Sequence, residues 1–408
     1  MDGIEKLAAF APYLDNEIIE EWNPAASSAP SSNKNQTMEK NPNNPMPSSK
    51  NLIDGCGRNI EDIPIYHAAL PNGRRTPILK TMVTSVCENN CYYCAFRSGR
   101  DFRRETFRPA ELADITTRLW QSGKITGLFL SSGIAGGGVR TQDKILESAE
   151  VLRRKYHFKG YLHLKIMPGA EKAQIERAMQ LADRVSVNLE APNITRLAML
   201  APQKTFLDDL LQRLKWIEEI RTNQSPSHTW KLKWPSSVTQ FVAGGAHEND
   251  LELLQTTSYL THTLHLARVY FSGFNPVPDT PLDNQPPFDP TRNLRLYQAS
   301  FLLRDYGISF EEMPFEPDGN LPLSVNPKLA MAQINYADRP LEINKCSKEE
   351  LLRIPGIGLK GAQIIMKARS SGKITNINQL LNLGVSVKQA APFVKINGKR
   401  PTLQLPLW

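Results

Sequence analysis

From about Leu52 to Pro322 of a 408-residue chain, short β-rich runs alternate with amphipathic helical stretches. The strand candidates are 78–83, 126–131, 160–167, 185–190, 237–243 and 267–271. Helical patterns fill the gaps over 109–121, 142–156, 172–181, 205–222 and 248–263. Strictly alternating strands and helices argue for a parallel sheet covered by helices. Six such units are fewer than the eight of a closed barrel. A partial (β/α)6 barrel and a doubly wound sheet both fit the pattern.

The flanks differ from this α/β core. Residues 1–23 read as an N-terminal helical segment, with Ile4, Leu7, Ala8, Phe10, Leu14, Ile18, Ile19 and Trp22 on an apolar face. Pro12 interrupts that pattern, so two shorter pieces are expected. Residues 24–50 hold five Pro, six Ser and five Asn, with no Val, Ile, Leu or aromatic residue. Such a segment cannot offset its ordering entropy by burial and reads as a disordered linker. The core is then 51–325, a connection follows over 326–340, and 341–408 form a small all-α domain with Gly-containing turns.

Composition narrows the class. Apolar residues make up 40% and charged residues 22%, which excludes a wholly disordered, fibrous or disulfide-scaffold chain. No apolar run reaches the length of about eighteen that spans a membrane. The start, M-D-G-I-E-K, lacks a basic region followed by an apolar stretch, and five cysteines are too few for a secreted framework. We expect a cytoplasmic protein. The net charge of +8 is localised: residues 341–408 carry eleven Lys/Arg and three Asp/Glu, and the other 340 carry 38 of each sign. A basic module on a neutral body suits a polyanion partner.

Cys87, Cys91 and Cys94 lie in one run, C-E-N-N-C-Y-Y-C, directly after the first strand candidate of the core. That places them on a loop at the carboxyl edge of the sheet, where βα-repeat folds keep their sites. Three thiolates on one loop suit zinc or an iron–sulfur cluster. A structural zinc site takes four ligands, usually from two separated pairs. Cys56 is isolated, and Cys346 belongs to the helical domain.

Strand alternation adds an independent signal. In 161–167, Leu162, Leu164 and Ile166 share one face and His163 and Lys165 the other. In 185–190, Ser186, Asn188 and Glu190 share a face, and Gln240 interrupts an apolar run in the fifth strand. Parallel strands packed on both faces are apolar throughout. One polar face therefore predicts a sheet curled around a polar lumen able to take a zwitterionic ligand.

The C-x3-C-x2-C loop with an aromatic before its last cysteine resembles the radical S-adenosylmethionine (SAM) superfamily. The resemblance implies a partial (β/α)6 TIM-like barrel. It also implies that Cys87, Cys91 and Cys94 bind three irons of a [4Fe–4S] cluster, leaving the fourth open to the SAM amino and carboxylate groups. Ser131, Ser132 and Gly133 stand where the superfamily's Gly-Gly-Glu motif meets the SAM amino group, and here the triplet is Ser-Ser-Gly. By the same resemblance Lys165 takes the SAM carboxylate, and Asn188 and Glu190 the ribose. Gly244 and Gly245 in T-Q-F-V-A-G-G-A-H-E would let the backbone approach the adenine, and Phe274 would stack on it.

Gly356-Ile357-Gly358-Leu359-Lys360, between two helical patterns, resembles the helix-hairpin-helix motif. Its glycines admit a tight turn, and amides at the following helix start can hold a phosphate without reading bases. Lys360 adds a charge. Residues 383–386 form a degenerate second copy that completes the core. Phrases such as G-L-F-L-S-S-G-I, G-Y-L-H-L-K-I-M-P-G, A-D-R-V-S-V-N-L-E-A-P, L-A-P-Q-K and L-L-R-I-P-G-I-G together resemble the DNA modification/repair radical SAM proteins.

These resemblances imply an enzyme that reductively cleaves SAM to a 5′-deoxyadenosyl radical and modifies or repairs nucleic acid, DNA being favoured. They imply delivery of the nucleic acid through 341–408, an electron donor such as flavodoxin or ferredoxin, and a uracil-DNA-glycosylase-like protein as a further partner. Two alternatives stay open. One is a radical SAM enzyme on a protein or small molecule, with the hairpins used for docking. The other is a non-enzymatic nucleic-acid-binding iron–sulfur protein.

Overall fold

The computed structural model describes residues 3–14, 63–69 and 74–401. The linker expected over 24–50, the second half of the N-terminal helical segment and Cys56 lie outside the described residues. β1 (Ile65–Ala69) pairs antiparallel with β2 (Arg75–Met82). β2, β3 (Gly127–Ser131), β4 (Tyr161–Lys165) and β5 (Arg184–Ser186) run parallel, as do β6 (Ser236–Ala243) and β7 (Arg268–Gly273). Strand order follows the chain from β1 to β7 in one seven-stranded sheet, and a small helical module follows. The architecture is the expected partial barrel of βα units.

By its internal contacts the chain divides into two compact units. The first comprises the described residues up to Asn90, Cys94–Val187 and Glu219–Ser236. Leu79, Thr81 and Val83, then Leu128 and Leu130, Leu162 and Leu164, and Val185 and Val187 are fully buried on one sheet face. Each such aliphatic side chain contributes about 1.5–3 kcal/mol relative to exposure. The other face carries Lys80, Ser131, His163, Lys165 and Ser186, as the alternation predicts. Register aligns Lys80, Phe129, His163 and Arg184 in one row across β2–β5.

Helix α1 (Gly3–Phe10) buries Leu7 and Phe10, and Pro12 ends it in a 3-10 turn, Ala11–Tyr13. Lys6 on α1 pairs with Glu111 at 2.8 Å. Glu111 also closes a capping box with Arg108 at the start of α2 (Pro109–Gln121). Helices α3 (Gly137–Glu150) and α4 (Lys172–Leu181) follow β3 and β4. Helix α3 starts five residues before the sequence pattern suggests and ends in a π turn, Val151–Lys155. The glycines that hide its first turn are stabilised from outside. The Glu88 carboxylate accepts from the amides of Gly136 and, at 3.2 Å, of Gly137. An anion there complements the helix dipole.

The second unit comprises Cys91–Tyr93, Asn188–Glu218 and the described residues from Ser237 onward. It holds α5 (Ile194–Leu200), α7 (Asp250–His262), α8 (Pro290–Tyr306) and α9 (Pro327–Tyr336); α6 (Gln212–Asn223) precedes α7 and crosses from this unit into the first. Asn193, Asn249, Asp289 and Asn326 cap α5, α7, α8 and α9 through their side chains. The terminal module contains α10 (Lys348–Arg353), α11 (Leu359–Ser371), α12 (Ile377–Asn382) and α13 (Val387–Ala390). Ile343, Leu351, Ile354, Ile357, Ile365 and Leu380 belong to its own apolar core.

Two expectations need correction. The strand reading 185–190 stops at Ser186: Leu189 N–H donates to the Thr239 hydroxyl rather than to a carbonyl of a neighbouring strand, and Glu190 turns to φ 65°. Strand structure does not end at residue 340: β8 (Leu341–Glu342) pairs in parallel with β9 (Val394–Lys395) and ties the two ends of the module together. Two-residue pairings leave no period for sequence to show.

Candidate functional site

The cysteine loop is built by backbone pairing on both sides. Beyond β2, Val83 N–H donates to Ser131 O at 2.9 Å, Gly133 N–H to Thr84 O at 2.7 Å and Glu88 N–H to Ile134 O at 2.7 Å. Ser85 N–H reaches Glu105 O on the returning segment, beside the isolated Thr84–Thr106 bridge. The Arg104 guanidinium donates to the carbonyls of Ser85, Phe96, Arg97 and Arg100 and lies 4.3 Å from the Phe102 ring centre. Asn90 Oδ1 accepts from Arg97 Nε at 2.6 Å and from Gly99 N–H. Motif reading singles out none of Glu88, Asn90 and Arg104, yet they hold the loop. Their signal is the density of charge and amide groups immediately around the cysteines.

Cys87 and Cys94 are half-buried, Cys91 is buried, and none of the three is in a disulfide. Cys94 Sγ accepts from Phe96 N–H at 3.4 Å. Tyr92 N–H donates to Leu200 O, fixing the middle of the loop to the end of α5. Among the described residues, no three His, Cys, Asp or Glu side chains gather as a single-ion site. A four-iron cluster does not need such convergence, since each thiolate binds a different iron.

Ser131 and Ser132 are buried where β3 ends, and Ser132 Oγ donates to Gly133 O. Gly133 has no room for a side chain: a Cβ there would lie 2.2 Å from Val86 O. The triplet thus packs directly beneath the residue preceding Cys87. On the polar face of the same unit, His163 Nε2 and Ser186 Oγ are 2.9 Å apart, and Phe129 meets the imidazole edge-on at 4.7 Å. His163 Nδ1 is buried and unpartnered. Burial, and then the charges of Arg184 and Lys165, hold this imidazole neutral well below the usual histidine range. Lys165 is half-buried in register with Ser186.

In the second unit Glu190 is the strained residue. Its N–H donates to Gln240 O at 3.0 Å and its carbonyl accepts from Val242 N–H at 2.7 Å, so β6 pins the left-handed conformation. Such a conformation costs of order 1–3 kcal/mol and marks residues whose direction matters. Glu190 Oε1 accepts from Lys204 Nζ at 3.0 Å, while Oε2 is buried without a partner. Asn188 is half-buried two residues earlier. Lys204 lies on a turn after α5 and closes the L-A-P-Q-K phrase, but that phrase does not show its pairing with Glu190.

The glycines after β6 serve close packing of rings. A Cβ on Gly244 would lie 2.3 Å from the Phe288 ring, and one on Gly245 would lie 2.8 Å from Leu200 and 3.1 Å from Phe274. Phe274 is buried there, whereas Phe288 is half-exposed. Glu248 accepts from the amides of Gly244 and, at 3.1 Å, of Ala246, and burial raises its carboxyl above the usual range.

In the terminal module Gly356 turns at φ 81° and Gly358 caps α11. Ile357 is buried, its N–H donates to Ile354 O, and its carbonyl accepts from Lys328 Nζ at 2.6 Å. Gly358 and Lys360 remain on the outer side of the turn, where the first amides of α11 have no intrahelical partner. The second turn repeats the geometry with Gly384 at φ 78° and Val385 buried. Ser386 N–H donates to Gly356 O, so the two turns abut.

A family model described as a helix-hairpin-helix motif matches residues 337–393. Among solved structures the chain is similar to methylornithine synthase (PylB), at 12% identity and a TM-score of 0.44, covering 56% of this chain and 61% of that one. It is also similar to the FeFe-hydrogenase maturase HydG from Carboxydothermus hydrogenoformans, at 14% identity and 0.43, covering 56% and 51%. A third is the radical S-adenosylmethionine methyltransferase TsrM from Kitasatospora setae, at 13% identity and 0.37, covering 50% and 38%. The chain thus spans less than two thirds of each of these. A search of curated proteins finds no match. Fold and site together define an α/β partial-barrel protein bearing a helix-hairpin-helix module.

Proposed function

We propose that the chain is a radical SAM enzyme acting on nucleic acid, with DNA the favoured substrate. The observation that carries this reading is the loop after β2: three cysteines outside any disulfide, on a loop held by Glu88, Asn90 and Arg104, with no fourth cysteine on it. Three soft donors that leave one position open suit a [4Fe–4S] cluster on Cys87, Cys91 and Cys94. When bound and reduced, that cluster supplies the electron for cleavage of SAM to methionine and a 5′-deoxyadenosyl radical.

This chain's own residues bind and orient. Ser131, Ser132 and Gly133 lie directly behind the cysteine loop, suited to the amino group of SAM. Lys165 offers a cation to its carboxylate, and Asn188 and Glu190 offer hydrogen bonds to the ribose. The orphaned buried Glu190 Oε2 supports that role, because a lone buried acceptor costs free energy until a donor meets it. Gly244, Gly245 and Phe274 border the adenine end, and Phe288 adds a half-exposed ring beside them. Neutral His163 supplies a proton donor or acceptor without a charge. The core is taken as 51–325 and the hairpin domain as 341–408, where Gly356, Ile357, Gly358 and Lys360 form the phosphate-holding turn. A stacked base is out of reach of a buried site, so the target nucleotide is flipped, terminal or single-stranded. A flavodoxin or ferredoxin supplies electrons.

The test is anaerobic reconstitution with iron and sulfide, followed by incubation with dithionite, SAM and defined DNA or RNA. The reading expects about four irons per chain and a nucleoside of altered mass. Iron without nucleoside change in either polymer overturns the nucleic-acid part.

A further inference from the structure

We propose that Lys328 is the positioning cation of the hairpin: its ammonium, bonded to the Ile357 carbonyl, holds the turn and supplies the charge behind an anion seated on the turn's outer amides. This rests on the nucleic-acid reading above. Lys328 stands in the first turn of α9, outside the residues that motif matching covers. Its Nζ donates to Ile357 O at 2.6 Å and lies 4.7 Å from the centre of the Tyr306 ring. The Tyr306 hydroxyl in turn lies 3.6 Å from where a Gly358 Cβ would be. Aromatic ring, ammonium and turn are therefore stacked in contact.

Among the described residues Lys328 has no carboxylate partner. The charged groups on neighbouring elements are otherwise engaged. Arg304 pairs with Asp305 on α8, and Arg353 on α10 pairs with Glu312. Tyr306 and Tyr336 are kept protonated by burial. The 3-10 turn Ala391–Phe393, which also packs on α9, contributes no titratable group, and Lys360 at the start of α11 has the same sign as Lys328. A half-buried ammonium with a carbonyl and a ring but no counter-ion is an incomplete electrostatic arrangement. A phosphate oxygen on the adjacent amides completes it.

Burial lowers the Lys328 ammonium to about 7. A bound anion favours the charged form, so binding and protonation are linked. Affinity is then constant below pH 7 and falls above it, by up to about tenfold per pH unit for one linked proton.

The experiment is fluorescence anisotropy of the full chain with a fluorescein-labelled DNA duplex at low salt, from pH 6 to 9. Wild type should weaken at least threefold between pH 7 and 8.5. Lys328→Arg, whose charge is permanent, should bind as wild type does at pH 6 and show no such fall. Lys328→Met should also be flat, but at the weak, high-pH level of wild type. Parallel profiles in wild type and Lys328→Met overturn the assignment, as does weak binding by a folded Lys328→Arg. If Lys328→Met fails to fold, the Arg profile alone decides. An absence of binding at every pH overturns the nucleic-acid reading itself, a distinct outcome.

Discussion

Gly133→Ala places one methyl group against the backbone that carries the cysteines. The new Cβ would lie 2.2 Å from Val86 O, 2.9 Å from Val86 C and 3.2 Å from Thr84 O, where ordinary contact begins at 3.4 Å. All three obstacles are backbone atoms, so no rotamer change relieves the clash. The loop must retreat by roughly 1 Å, an overpacking that costs about 1–3 kcal/mol. The same movement stretches the Gly133–Thr84 and Glu88–Ile134 hydrogen bonds, both 2.7 Å long, each contributing about 1 kcal/mol. A total of about 3–5 kcal/mol follows, and 1 kcal/mol shifts a midpoint by about 2–4 °C in units of 150–250 residues. Calorimetry should show a fall of at least about 6 °C, and reconstituted protein should hold markedly less iron. Gly372→Ala is the control, because nothing lies within 4 Å of its Cβ. Equal midpoints and equal iron in Gly133→Ala and wild type would refute the packing argument.

Three further outcomes are expected. Folded His163 stays neutral whereas the unfolded chain protonates it near 6.5, so its stabilisation is present above that pH and lost below it. Unfolding free energies from urea titrations should fall by up to about 1.4 kcal/mol per pH unit below 6.5 in wild type and less in His163→Gln; identical slopes would exclude this histidine as the source. Lys204→Met strands the buried Glu190 carboxylate and should cost about 3–5 kcal/mol, while adding Glu190→Gln should recover much of it. A fully additive double variant would show that the pair is not coupled. Gly358→Val should weaken DNA binding with the fold intact, because its nearest neighbour is at 3.6 Å, whereas Gly356→Val should unfold the module against Ser386 O. Circular dichroism separates the two.

Where sequence periodicity was strong, the structure follows it. Helices Pro109–Gln121 and Lys172–Leu181 run over the expected residues, since each has a capping box and a clear apolar stripe. The polar face of β4 was legible because leucines alternate with His163 and Lys165. Other features were hidden for physical reasons. Helix α3 begins in glycines whose stabiliser, Glu88, is remote in sequence. In α11 Ile364 adjoins Ile365 in sequence, yet it is exposed, since Ala362 and Ile365 are the residues buried against the core. Lys204 and Lys328 are lone lysines, and only tertiary structure shows what each faces. The cysteine loop was evident from its spacing, but its scaffold of Arg104 and Asn90 was not.

The central claim is that Cys87, Cys91 and Cys94 hold a cluster that cleaves SAM. The most direct measurement is 5′-deoxyadenosine, by mass spectrometry, from anaerobically reconstituted, dithionite-reduced protein incubated with SAM. The account predicts 5′-deoxyadenosine from wild type and from Cys346→Ala, whose buried thiol is pushed up to about 11 and is no ligand. It predicts neither iron nor product from Cys87→Ala, Cys91→Ala or Cys94→Ala. Iron-replete wild type that yields no 5′-deoxyadenosine, or full activity in any of the three loop variants, would contradict it.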